Sequence, residues 1–234
     1  MIGKLVDHRN RDLWNLIDAN FDVKIKYTRK PWASVYCKGS SVIFRLPKKD
    51  LSPDSFTHEL LHVYLKHKEV NIGAAIQNMV IGNQNLKRLF NPDLFSHIGN
   101  CLDHVKILPI YLQLGFDRAN FISDYNDNGF TLTRFQSMEL FFKANSLSSS
   151  AFPEYVGAII GMFAEPNVSF DHSALKLRYR NLDEALYMCV ETLFKSWDQV
   201  NINSTDVMET SYHEVANEFI FNIEDWIDSL ENTT

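Results

Sequence analysis

The segment from Ser52 to His62, SPDSFTHELLH, constrains this chain more than any other. Ser52 is a good helix N-cap, Pro53 suits the first helical position, where a missing N–H costs nothing, and Asp54 puts an acid at the positive end of the helix dipole. The spacing predicts a helix from about Pro53 to Glu69, with Phe56, Leu60, Val63 and Leu65 available for burial. Within it His58 and His62 lie four residues apart, hence one turn apart on one face. Two imidazoles placed this way can ligate a single Zn²⁺, while Glu59 stays free to take a proton from a water on the metal.

The flanks fix the fold class. Leu13, Trp14, Leu16 and Ile17 recur at helical spacing, and Val23, Ile25 and Tyr27 then alternate with Lys24 and Lys26 as in a strand. Ala33–Cys37 and Ser41–Leu46 are rich in β-branched and aromatic residues on either side of Lys38-Gly39-Ser40, which reads as a hairpin. Beyond the motif the pattern becomes helical, near Ile72–Val80, Leu132–Ser146, Pro153–Phe163, Leu182–Trp197 and Asp206–Leu230. Asn91-Pro92-Asp93 repeats the capping device and opens a helix expected to stop just before Pro109. The expected fold is α+β: a small N-terminal antiparallel or mixed sheet packed on the HExxH helix, then a mostly helical C-terminal part. Residues 1–121 are expected to form the metal-binding catalytic region and 122–234 a helical region packed on it as one unit, with the division near Ser123–Gly129.

Composition excludes several alternatives. With 45% hydrophobic and 22% charged residues, 234 residues can bury a core. The 23 Lys and Arg against 29 Asp and Glu leave −6, no overall basic field for phosphates, so no nucleic-acid partner is expected. Only 9 glycines are present, and neither GxxxxGK[ST] nor GxGxxG occurs. Cys37, Cys101 and Cys189 form no CxxC pair and read as free thiols in a reducing compartment. The N-terminus lacks an apolar signal core, and the longest apolar stretch, Tyr155–Ala164, is about half of the roughly 20 residues needed to span a bilayer. A cytoplasmic protein without a membrane segment is expected, its oligomeric state unspecified.

At the motif the chain resembles the zincin metallopeptidases, whose HExxH helix follows a sheet that aligns a peptide substrate; the resemblance covers about residues 10 to 110. Metzincins continue as HExxHxxGxxH, but Leu65 stands here in place of the glycine and Lys68 in place of the third histidine. Gluzincins take their third ligand from an acid on a later helix, and the order of short helix, strands, HExxH helix and later helix is similar to the compact minigluzincin or ImmA/IrrE-like arrangement. That resemblance implies Zn²⁺ on His58, His62 and Asp103, with Glu59 as general base and acid and His104 orienting substrate or stabilising an oxyanion. Gluzincins use Glu where Asp103 stands, so two other ligands stay open: His104, which would make a three-histidine site, and His97. The resemblance implies a zinc-dependent peptidase acting on peptides or proteins, with Ser41–Leu46 as the strand that aligns the substrate. The alternative from another class is a zincin-derived regulatory or peptide-binding module with little or no turnover.

Other features carry less. Asp124-Tyr125-Asn126-Asp127-Asn128-Gly129 starts like an EF-hand loop, but the twelfth position, where a bidentate Glu is required, is Phe135, so a turn is expected. His172 and His213 could donate to an oxyanion only if folded over the metal, and His67 and Tyr64 read as surface and packing residues.

Overall fold

The computed structural model describes residues 2–49, 51–204 and 211–232. The chain is α+β, with one three-stranded sheet and ten α-helices among the described residues. Helix α1 (Arg11–Asn20) leads into β1 (Asp22–Thr28), β2 (Ser34–Lys38) and β3 (Ser41–Pro47), and α2 (Pro53–His67) follows. Then come α3 (Ile72–Ile81), α4 (Gln84–Lys87), α5 (Pro92–Gln113), α6 (Leu132–Ala144), α7 (Ala151–Ala164), α8 (Ser173–Leu182), α9 (Glu184–Gln199) and α10 (Tyr212–Glu231). Part of the last expected helix, residues 206–210, lies outside the described residues.

The sheet is mixed. Strand β3 lies in the middle, antiparallel to β2 and parallel to β1, with Lys24 and Tyr36 both opposite Ile43. Gly39, at φ +57°, makes the β2–β3 turn, a backbone state that glycine enters without Cβ strain. The central place of β3 corrects the expectation that Ser41–Leu46 aligns a substrate: both its edges are already paired, and β2 and β1 are the edge strands. Sequence order could not show this, because β1 pairs with β3 across the intervening hairpin.

Two compact units divide the chain, neither of them continuous: Met1–Val70 with Val105–Asp127, and Asn71–His104 with Asn128–Thr234. In the first, Val42, Phe44 and Leu46 of β3 bury against Phe56, Leu60 and Val63 of α2, with Leu5 and Ile17. In the second, α3 meets α5 at Gly73, where an added Cβ would come within 2.8 Å of the Gly99 Cα. The Trp197 indole N–H donates to the Leu102 carbonyl at 2.9 Å, which ties α9 to α5.

Helix α5 overrides one local rule. Pro109 lies inside the helix and deprives the Val105 carbonyl of its helical donor, a loss that with the ring clash costs about 3 kcal/mol. The expected stop before Pro109 is therefore wrong. Ile107 and Tyr111, on either side of it, are fully buried, and each contributes roughly 1.5–3 kcal/mol of apolar burial. Continuing the helix keeps both inside.

Candidate metal centre

The motif helix is held at its beginning. The Ser52 hydroxyl accepts from the Ser55 N–H at 3.2 Å, and Pro53 occupies the first turn. Immediately before His58, the Thr57 hydroxyl donates to the Pro53 carbonyl at 2.6 Å and accepts from the Asn10 amide at 2.8 Å. Asn10 is fully buried; its amide also donates to the Leu5 carbonyl and its oxygen accepts from the Asp7 N–H. This polar knot fixes the rotation of α2 about its axis, and so the direction in which its histidines point.

The segment after α5 belongs to the same unit and closes on the same helix. Asn120 donates to Asp54 at 3.0 Å, and Tyr111 donates to the Asn120 carbonyl at 3.2 Å. The ring of buried Phe121 lies 4.7 Å from that of His58 and 5.2 Å from that of Tyr111. Helix α5 is thereby fixed beside α2 over its Val105–Gln113 portion. His104 directly precedes Val105 in the unbroken helix, about 100° and 1.5 Å of rise away, so its backbone is carried by that portion.

His58 and His62 present their Nε2 atoms to each other at 3.1 Å. His104 joins them, and the three candidate ligand atoms all lie within 4.8 Å of one another. The arrangement suits a metal ion. Bonds of 2.0–2.1 Å to a tetrahedral Zn²⁺ put neighbouring nitrogens roughly 3.3–3.4 Å apart, close to the distance across His58 and His62. His58 Nδ1 and His104 Nε2 are both screened from solvent. Three imidazoles are close enough to hold a metal ion, and this donor set suits Zn, Cu, Ni or Fe.

Among the described residues Asp103, expected as the third ligand, is not in this group. Adjacent helical positions point about 100° apart, so a face that presents His104 to the motif does not also present Asp103. His97 is committed elsewhere: its Nε2 lies 2.9 Å from the Gly157 carbonyl.

Glu59 is 8% exposed, and burial pushes its carboxyl pKa up, while the His62 charge and a hydrogen bond from the Val35 backbone oppose the rise. Val35 lies on edge strand β2. Edge strand β2 thus lies near the motif glutamate, a relation the sequence did not reveal. The other singled-out residues play smaller parts. His213 is exposed, its ring tilted against that of Tyr212, Lys68 lies over the Tyr64 ring, and Asp124 heads a turn closed by the Asp127 N–H at 2.8 Å.

Comparison with known proteins returns no matching family model, no matching curated protein and no matching solved structure.

Proposed function

We propose that the chain is a zinc-dependent metallopeptidase whose metal is held by His58, His62 and His104. The observation that carries this reading is the approach of His104 to the two motif histidines. It supplies the third ligand that a catalytic zinc site needs and HExxH lacks. When bound, zinc would polarise a substrate carbonyl and make a water acidic near neutral pH. Glu59, buried on the same helix, would accept a proton from the attacking water on its carboxylate and pass it to the leaving amine. An extended peptide added to the open edge of β2 would satisfy its backbone there and run past Glu59.

Glu59→Gln tests the reading, because the amide keeps the shape but cannot accept a proton. It should retain the metal and the fold and lose peptide hydrolysis by at least about a hundredfold. Parental cleavage rates in this variant would refute the role. The nearness of edge strand β2 to Glu59 fits a second reading, a peptide-binding module with little turnover. Under that reading the wild type and Glu59→Gln bind peptide equally and neither cleaves it.

A further inference from the structure

The chain's net charge of −6 is unevenly distributed. The unit carrying the sheet and the HExxH helix has 15 Lys and Arg against 11 Asp and Glu, a net of +4; the other has 8 against 18, a net of −10. The whole-chain balance therefore hides a basic region, and the sheet gathers part of it onto one face.

The inner face of the sheet is sealed by Val42, Phe44 and Leu46, which are buried. By the alternation of strand side chains the outer face carries the remaining positions. Registered across the strands, its rows read Asp22–Ser41–Lys38, Lys24–Ile43–Tyr36 and Lys26–Arg45–Ser34. Lys24, Lys26, Lys38 and Arg45 are all exposed. The one acid in these rows, Asp22, lies 2.9 Å from Lys24 and offsets one of the four positive charges, leaving the face at +3. Side chains two apart on a strand are about 6.7 Å apart and neighbouring strands about 4.8 Å, so four cations are spread over one face of the sheet.

Two large aromatic rings accompany them. Tyr36, on the outer face, is 49% exposed, and Trp32, two residues ahead of β2, is 51% exposed. Each ring has its own cation: Arg45 lies 5.8 Å from the Tyr36 ring centre and Lys30 lies 5.5 Å from that of Trp32. Both rings are left about half open to solvent, so their faces are available to a partner. An acidic polypeptide would use the cations and leave the rings idle. Unpaired bases would use both, by stacking on the rings while their phosphates meet the lysines and arginine.

We infer that the outer face of the β1–β3–β2 sheet binds single-stranded nucleic acid, with Tyr36 and Trp32 as stacking platforms and Lys24, Lys26, Lys38 and Arg45 as phosphate contacts. None of these residues belongs to the metal centre, so the inference stands independently of the peptidase reading.

The test is fluorescence anisotropy of the full chain with a labelled oligothymidylate of about 15 nucleotides. Binding should weaken with salt, the slope of log K against log salt being roughly −0.7 for each phosphate contact and so near −3 for four. The double variant Lys26→Glu/Arg45→Glu should lose at least about tenfold in affinity and flatten that slope. Tyr36→Ala/Trp32→Ala should lose a similar factor with the slope unchanged, a result that charge attraction alone would not produce. Circular dichroism and bound metal should be unaltered in all variants. No binding at low salt, equal competition by polyglutamate or by a duplex of the same length, or full affinity in the aromatic double variant would overturn the inference.

Discussion

The two units of this chain are built on different principles. The unit containing Met1–Val70 and Val105–Asp127 buries a hydrophobic sheet face against α2 and sets its rotation with buried polar groups, Asn10 and Thr57. The unit containing Asn71–His104 and Asn128–Thr234 has helices as its regular secondary structure among its described residues, and it draws on close backbone approach and ring contacts. Gly73 sits against Gly99 there, and the Phe142 and Tyr155 rings stack 4.5 Å apart. The first unit brings chemistry-bearing side chains to chosen directions, which requires directional bonds. The second mostly fills volume, which requires shape, and carries His104 at its boundary. Helix α5 belongs to both, since His104 and Val105 fall on either side of the division.

The largest effect that would break this division of labour concerns the metal. His58→Ala, His62→Ala and His104→Ala should each weaken zinc binding by more than about a hundredfold, whereas Asp103→Ala should cost no more than about tenfold. Competition with a chromogenic chelator reads the order directly. A larger loss in Asp103→Ala than in His104→Ala would reverse the ligand assignment.

Shape in the helical unit should fail asymmetrically. A Cβ at Gly73 would come within 2.8 Å of the Gly99 Cα, but one at Gly99 would rest 3.5 Å from the Gly73 Cα. Gly73→Ala should therefore destabilise by about 1–3 kcal/mol, and Gly99→Ala by much less. Urea unfolding that finds the two variants equally stable would show that the helices move apart freely.

In the sheet unit, Thr57→Val keeps the volume but leaves the Asn10 amide without one of its two acceptors. The expected loss is about 1–3 kcal/mol, with reduced zinc affinity as α2 loses its rotational anchor. Unchanged zinc affinity alongside the lost stability would detach the knot from the site.

How far the sequence exposed these two designs follows from the physics of each. Helix α2 was legible because cap, proline and acid precede a buried stripe, and the β2–β3 hairpin because two alternating runs flank a glycine turn. Helix α8 was not, since Tyr179 is its only buried residue and its pattern has no apolar stripe. The helical continuation past Pro109 and the central place of β3 depend on contacts distant in sequence, which overrule local preference. The pairing of His58 and His62 was legible because they lie about one helical turn apart. Asp103 and His104 could not be separated, since the choice depends on which side of α5 turns toward α2.

A smaller effect is set by pH. His172 is buried on α8's N-terminal side, its Nε2 3.8 Å from Glu165, beyond hydrogen-bonding range. Burial pulls its pKa below the usual 6.5, although the Glu165 charge opposes the shift. The unfolded chain then binds the proton more readily than the folded one. Stability should be fully present above pH 6.5 and decline as the pH falls below it. His172→Gln should flatten this acid limb in chemical denaturation measured at several pH values, and an unchanged slope would remove His172 as its source.

The smallest expected signal comes from the thiols. Burial pushes Cys101 and Cys189 up to about 12, so neither should react with a disulfide reagent at pH 8 in the native state, whereas half-buried Cys37 should react slowly. Two or more fast-reacting thiols would mean that the helical unit opens readily.

X-ray absorption at the zinc edge of the reconstituted protein tests the central claim most directly, because it counts the imidazoles on the metal. Three imidazole nitrogens at about 2.0–2.1 Å in the wild type, falling to two in His104→Ala and remaining three in Asp103→Ala, is the predicted result. Two imidazoles and a carboxylate in the wild type, with the count unchanged when His104 is replaced, would contradict the three-histidine centre.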